Sequence, residues 1–240
     1  MEYIKTKCQG RLQLENHFAA TLFIKETGNY LKLSEVTIAS ACVLYHRFMA
    51  AIDDLNNFDA NVVGCTALYL AGKVEENPCK LRDLINMAYS ILNKNKPPID
   101  IADKYWRLRD SIVKCELLFL RLLSFKVAVD NPHKYMLHYL KSLEDWCEEE
   151  SWELSQLPQM CWCVLSDFFH TTLCLEESAA CVAVAVIYLC VMCTGLKIPM
   201  ETADKKWWQV FCDDKTEEDI QDIVGRIIKV YEFETKQTVK

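Results

Sequence analysis

LYLAGKVEEN, residues 68–77, decides how this chain is read. Leu68, Tyr69, Leu70 and Ala71 have the character of helix interior, yet Lys73 follows almost directly, with Glu75 and Glu76 beyond it. Asn77-Pro78 stops the helix, because proline disfavours the helical conformation of the residue before it. A cation near a helix C-terminus suits the macrodipole. A second reading stays open, in which Lys73 is placed to reach another protein.

The helical pattern spreads in both directions. Apolar residues recur at helical spacing over His17–Thr27, Glu35–Ala51, Ala60–Val74, Leu81–Leu92, Asp103–Leu123, Pro132–Trp146, Pro158–His170, Glu176–Thr194 and Glu217–Glu232. Ser34 and Thr216 stand where N-caps belong, each followed by acidic residues. Pro97-Pro98 marks a loop from Asn93 to Asp100. The nearest approach to a strand, Phe125–Val129, is too short to found a sheet. The expected fold class is all-α.

With 240 residues the chain fits one large domain or two of about 100–120 residues each. Hydrophobic residues make up 51% and charged residues 25%, which supports a full core and argues against wholesale disorder. The net charge of −7 lacks the basic excess of a generic nucleic-acid binder, while leaving room for a local basic patch.

Residues 1–20 carry Lys5, Lys7, Arg11 and Glu15 without an apolar segment, so no secretory signal is expected. The thirteen cysteines are odd in number and fall mostly in apolar runs (Cys42, Cys65, Cys115, Cys181, Cys190), as buried thiols of a reducing compartment do. Cys190 and Cys193 have CxxC spacing but no second ligand pair to complete a zinc site. They read as core thiols, as do Cys161 and Cys163. The longest apolar run, Ala179 to Thr194, is shorter than the roughly 20 residues of a spanning helix and reads as a buried central helix. No metal, cofactor or membrane association is expected.

A weak internal repeat is visible. A shift of 119 residues places Tyr69-Leu70 on Tyr188-Leu189, Val63 on Val182, Gly64 on Ala183 and Ala67 on Val186. In both halves a helix rich in small residues runs into Tyr-Leu, which suggests two copies of one helical unit. Lys73 falls on Met192, so the shared packing does not require the lysine.

SIVKCELLFLRLLSF, residues 111–125, raises the question of charge a second time. Glu116 interrupts a helix that is otherwise strongly apolar, and a buried carboxylate is costly unless paired. It occupies a solvated edge or pairs with Arg109 one heptad earlier on its own helix; alternatively Lys73 and Glu116 meet across two helices at the rim of an exposed apolar patch. Partner-binding surfaces have the latter make-up.

These residues together resemble the cyclin family. YLAGKVEE is similar to the third helix of a first cyclin box, and CELLFLRLLSFKV to its fifth. TIASACVLYHRF (37–48), RDSIVKCELLFLRLL (109–123), PHKYMLHYLKSLEDW (132–146) and KWWQVFCDD (206–214) extend the resemblance from about Gly10 to Glu234, closest to transcription-type cyclins. It implies two tandem five-helix cyclin boxes, 10–129 and 130–234, with short N-terminal and C-terminal helical extensions. It implies a regulatory subunit, not an enzyme, that forms a heterodimer with a cyclin-dependent kinase, matched within this branch to cyclin-dependent kinase ten. The first box would pack its third and fifth helices on the mobile C-helix of the kinase. Lys73 and Glu116 match the family's polar contacts, and Val74, Leu120, Phe125 and Val127 its apolar ones. A nuclear or cytoplasmic location follows from the same resemblance.

The chain also departs from cell-cycle cyclins. HFAATLFIKE (17–26) does not match their Met-Arg-x-x-Leu-x-x-Trp docking stretch, which puts substrate recruitment through that patch in doubt. The stretch between Lys73 and Glu116 is longer than in those cyclins, and the loop at Asn93–Asp100 would absorb the excess. No long N-terminal extension is evident, and RLQLEN (11–16) is only a fragment of a destruction box. Against an enzyme stand the missing Gly-rich phosphate loop, nucleophile elbow and HExxH motif; His133 and His138 are five residues apart, which is not metal-ligand spacing. A tandem cyclin-fold transcription factor core that binds DNA would show a basic surface, and a helical scaffold would leave Lys73 and Glu116 unexplained. Trp207-Trp208 could form a peptide platform, but adjacent helical residues point about 100° apart, so packing of the second unit is favoured.

Overall fold

The computed structural model describes residues 14–52, 58–199 and 205–238. The expected N-terminal extension, and Cys8 with it, lies outside the described residues. The chain divides into two compact units, 1–129 and 130–240.

The first unit contains α1 (Leu14–Tyr30), α2 (Glu35–Ala51), α3 (Ala60–Val74), α4 (Leu81–Leu92) and α5 (Asp103–Leu122). Side-chain caps fix where two of them begin. Ser34 Oγ accepts the Thr37 N–H at 3.2 Å, and Asp59 Oδ1 accepts the Asn61 N–H at 2.8 Å. The centre is α3, which packs against all four of the others. Small residues make that possible: a Cβ on Gly64 would lie 3.2 Å from Ile24 Cγ1. Between α2 and α5, Phe48 stacks on Phe119 with centroids 4.0 Å apart, both rings fully buried.

The second unit contains α6 (Pro132–Trp146), α7 (Glu149–Ser155), α8 (Leu157–Phe168), a 3-10 turn at Thr172–Leu175, α9 (Ala179–Thr194), a 3-10 turn at Trp207–Val210 and α10 (Glu217–Thr238). Cys181 to Ile187 of α9 are buried without a break. Thr216 and Asp219 cap α10 reciprocally: Thr216 N–H donates to Asp219 Oδ2 at 2.9 Å, and Asp219 N–H to Thr216 Oγ1 at 3.2 Å. The 119-residue shift carries Ala60, the first residue of α3, onto Ala179, the first residue of α9. The capping residues Asp59 and Ser178 correspond as well.

Several elements differ from expectation. Ser178, whose Oγ accepts the Cys181 N–H, starts α9 at Ala179 instead of Glu176. The last helix runs on to Thr238. EESWELS forms a helix, α7, in a stretch where no helix was expected; Glu149 and Glu150 stand in its first turn, and Trp152 is buried. Cys161 and Cys190 are core thiols, but Cys163 and Cys193 are exposed and correct that expectation. Cys163 lies about 200° around α8 from Cys161, and Cys193 sits in the last turn of α9, where Met192 also emerges. Trp208 is buried, Trp207 stacks on Tyr188, and Phe211 stacks on Tyr139 and Trp146, so this cluster is packing. Among the described residues there is no strand, no cluster of three metal-ligating side chains, and no helix long and apolar enough to cross a membrane.

Candidate functional site

Lys73 stands in the last turn of α3. Its acidic followers serve the local structure. Glu75 Oε1 accepts the hydroxyl of buried Ser40 on α2 at 2.6 Å, and Glu76 takes the left-handed conformation, φ 54°, that turns the chain back. The Asn77 N–H then closes onto the Gly72 carbonyl at 2.9 Å. The acidic tail of α3 is thus tied down, and Lys73 projects outward.

Glu116 is its mate. Lys73 Nζ donates to Glu116 Oε1 at 2.6 Å, joining α3 to the middle of α5. The glutamate side chain is 14% exposed and the lysine side chain 44% exposed. The same ammonium lies 4.1 Å from the centroid of the Tyr69 ring, one helical turn back. Arg109, the same-helix alternative for Glu116, pairs with Asp110 and stacks over Trp106 instead. Below the pair, Thr66 of α3 reaches the Cys115 thiol of α5, which burial pushes up from its ordinary pKa.

Of the apolar candidates, Val74 follows Lys73 in the chain and Leu120 stands one turn after Glu116 on α5. Val74, Leu120 and Val127 are half-buried, whereas Phe125 is 70% exposed. The end of α5 holds Phe125 outward. Ser124 N–H donates to the Arg121 carbonyl at 3.1 Å and Phe125 N–H to the Leu120 carbonyl at 2.8 Å, the two bonds of a Schellman motif. Ser124 and Phe125 both have positive φ, 50° and 60°, without being glycine. Such backbone costs of order 1–3 kcal/mol per residue and concentrates at functional sites. Arg47 of α2 supports the segment beyond, donating to the Ala128 carbonyl at 3.0 Å and the Lys126 carbonyl at 3.4 Å.

Three contributors escaped the sequence reading: Tyr69, and the exposed Val113 and Leu117 of α5. Their signal was present. Tyr69 is four residues before Lys73, and Val113, Leu117 and Leu120 follow one another at i, i+4 and i+7, hence on one helix face.

Residues 2–128 match the family described as "Cyclin, N-terminal domain". The chain belongs to the cyclin family. Similar cyclins include Cyclin-T1-5 of Arabidopsis thaliana, 30% identical over 88% of this chain and 35% of that protein. Human Cyclin-K is 30% identical over 87% of this chain and 35% of its own length. Cyclin-L1-1 of Oryza sativa subsp. japonica is 30% identical over 90% of this chain and 48% of its own. The chain thus spans between a third and a half of these relatives. Among solved structures, a chain of the yeast RNA Pol II CTD kinase CTDK-1 complex has a TM-score of 0.70 at 17% identity, covering 91% of this chain and 66% of that one. A chain of the CAK complex of Chaetomium thermophilum has a TM-score of 0.64 at 12% identity, over 91% and 62%. At such identities the match establishes the fold, and the fold is that of a cyclin.

Proposed function

We propose that this cyclin is the regulatory subunit of a cyclin-dependent serine/threonine kinase, with no catalytic chemistry of its own. In this reading residues 10–129 are the kinase-binding box and 130–234 a second cyclin box. The chain is of transcription type, most similar to cyclin Q, with cyclin-dependent kinase ten as partner and a nuclear or cytoplasmic location. The observation that carries the reading is the Lys73–Glu116 pair across α3 and α5, with exposed Val113 and Leu117 beside Glu116 on α5 and exposed Phe125 just beyond its end. An apolar centre with a few specifically mated charges is the make-up of a partner-binding surface.

The cyclin acts indirectly. In a kinase the strand lysine and the C-helix glutamate must pair before the phosphates are held correctly. A cyclin that binds the helix-in state more tightly shifts the equilibrium by that difference in affinity. Lys73, Glu116, Val74, Leu120, Phe125 and Val127 supply the contact. The test is co-expression of the tagged chain with a panel of cyclin-dependent kinases, including cyclin-dependent kinase ten, followed by a phosphorylation assay on each retained pair. One kinase retained and activated by the wild type, and lost with Lys73→Ala/Glu116→Ala, supports the reading; a folded chain that retains no kinase overturns it.

A further inference from the structure

Helix α5 is apolar on two faces, and only one of them is buried. Tyr105, Ile112, Cys115 and Phe119 point into the first unit. On the other side Trp106, Val113 and Leu117 are 48%, 39% and 56% exposed, and half-buried Leu120 continues the row. At 100° per residue these four fall within an arc of about 60°, and they span about 21 Å of helix. A surface helix needs one apolar face. The second one lies uncovered, and it runs a full half-helix beyond the Lys73–Glu116 pair.

Trp106 marks its far end. It is the one exposed tryptophan among the described residues: Trp152 and Trp208 are buried, and Trp146, Trp162 and Trp207 are half-buried. Arg109 lies over its ring, 5.5 Å from the centroid. The guanidinium has as ion-pair partner its neighbour Asp110, at 3.5 Å and with both side chains well exposed, a weak arrangement. Exposed Arg107 stands beside them. Tryptophan and arginine are the residue types that most often dominate interface energetics.

We infer that the kinase contact of this cyclin runs the whole length of α5, with Trp106 and Arg109 as a second anchor remote from Lys73 and Glu116. The inference rests on the proposed kinase-binding role, because Val113, Leu117 and Leu120 flank Glu116 on this helix and Trp106 stands two turns before Val113 on the same face, with the exposed Arg109–Asp110 pair between them. The occupant is a further segment of the same kinase, beyond the helix that meets Lys73. Its chemistry is set by the anchor: an apolar side chain to cover the indole of Trp106, and a carboxylate to take Arg109 from its weak pairing with Asp110.

The test measures binding of the wild type, Trp106→Ala, Trp106→Phe, Arg109→Ala and Lys73→Ala to the kinase retained in the co-expression panel, by surface plasmon resonance. Leu154→Ala serves as control, since Leu154 is 79% exposed on the second unit. Trp106→Ala is expected to weaken binding about 10-fold or more, mainly by faster dissociation. Trp106→Phe should recover part of the loss, Arg109→Ala should show a smaller loss, and Leu154→Ala none. All variants should melt within a few degrees of the wild type, because the altered side chains are exposed. Wild-type binding by Trp106→Ala, alongside weakened binding by Lys73→Ala, overturns the second anchor and leaves the kinase reading intact. A folded wild type that retains no kinase overturns both.

Discussion

Lys73 Nζ and Glu116 Oε1 lie 2.6 Å apart, although 42 residues of chain separate the two positions. The contact joins the end of the central helix of the first unit to the middle of α5. With the lysine side chain 44% exposed, the pair contributes at most about 1 kcal/mol to folding. Lys73→Ala and Glu116→Ala should therefore leave the melting temperature within a few degrees of the wild type. Thermal unfolding by circular dichroism checks this; a collapse of either variant would mean that the pair is structural.

The phenylalanines of α5 and of the turn that follows it divide by burial. Phe119 is fully buried and stacked on Phe48, so Phe119→Ala should cost about 3–5 kcal/mol. Phe125, 70% exposed, should tolerate alanine with less than about 0.5 kcal/mol of lost stability while weakening partner binding. Urea denaturation of both variants separates core from contact.

Ser124 sits at φ 50° in the Schellman turn that presents Phe125. Glycine adopts this backbone without the Cβ penalty, so Ser124→Gly should stabilise the first unit by about 0.5–1 kcal/mol. The gain should appear as a higher urea midpoint with unchanged slope. A lower midpoint would show that the serine side chain stabilises the turn.

Two buried histidines set an acid limit. Burial lowers His17 in the first unit and His133 in the second to pKa values of about 4, from 6.5. Below pH 6.5 the unfolded chain takes up protons that the folded chain refuses. The contribution of the two neutral imidazoles is thus fully present above pH 6.5 and is lost as pH drops toward 4, by about 1.4 kcal/mol per pH unit for each histidine. Thermal unfolding at pH 7.5, 6 and 5 should show a declining midpoint, and His17→Phe should flatten the decline.

Much of the fold was legible because its determinants are local. Ser34 and Thr216 cap the helices that they were expected to cap, and α3 and α4 keep their expected bounds because apolar spacing marks both, with Asn77-Pro78 closing α3. What escaped depended on contacts distant in sequence. The helix at Glu149–Ser155 is short, and its one buried residue is Trp152, whose packing site is not visible in the local sequence. Whether Glu116 pairs with Arg109 or with Lys73 is decided by helix packing, to which periodicity is blind. The second apolar face of α5 was hidden for a different reason: Trp106, Val113, Leu117 and Leu120 have the spacing of core residues, and only solvent accessibility distinguishes an outer row from an inner one. The exposure of Cys163 and Cys193 was missed for the same reason.

The central claim is that Lys73 and Glu116 face a kinase, and isothermal titration calorimetry addresses it most directly. The retained kinase is titrated with the wild type, Lys73→Ala, Glu116→Ala and the double variant. Each single truncation is predicted to weaken binding by about 2–5 kcal/mol, and the double variant by less than the sum, because the two side chains act as a unit. Equal affinity for all four proteins, each shown to be folded, would contradict the account.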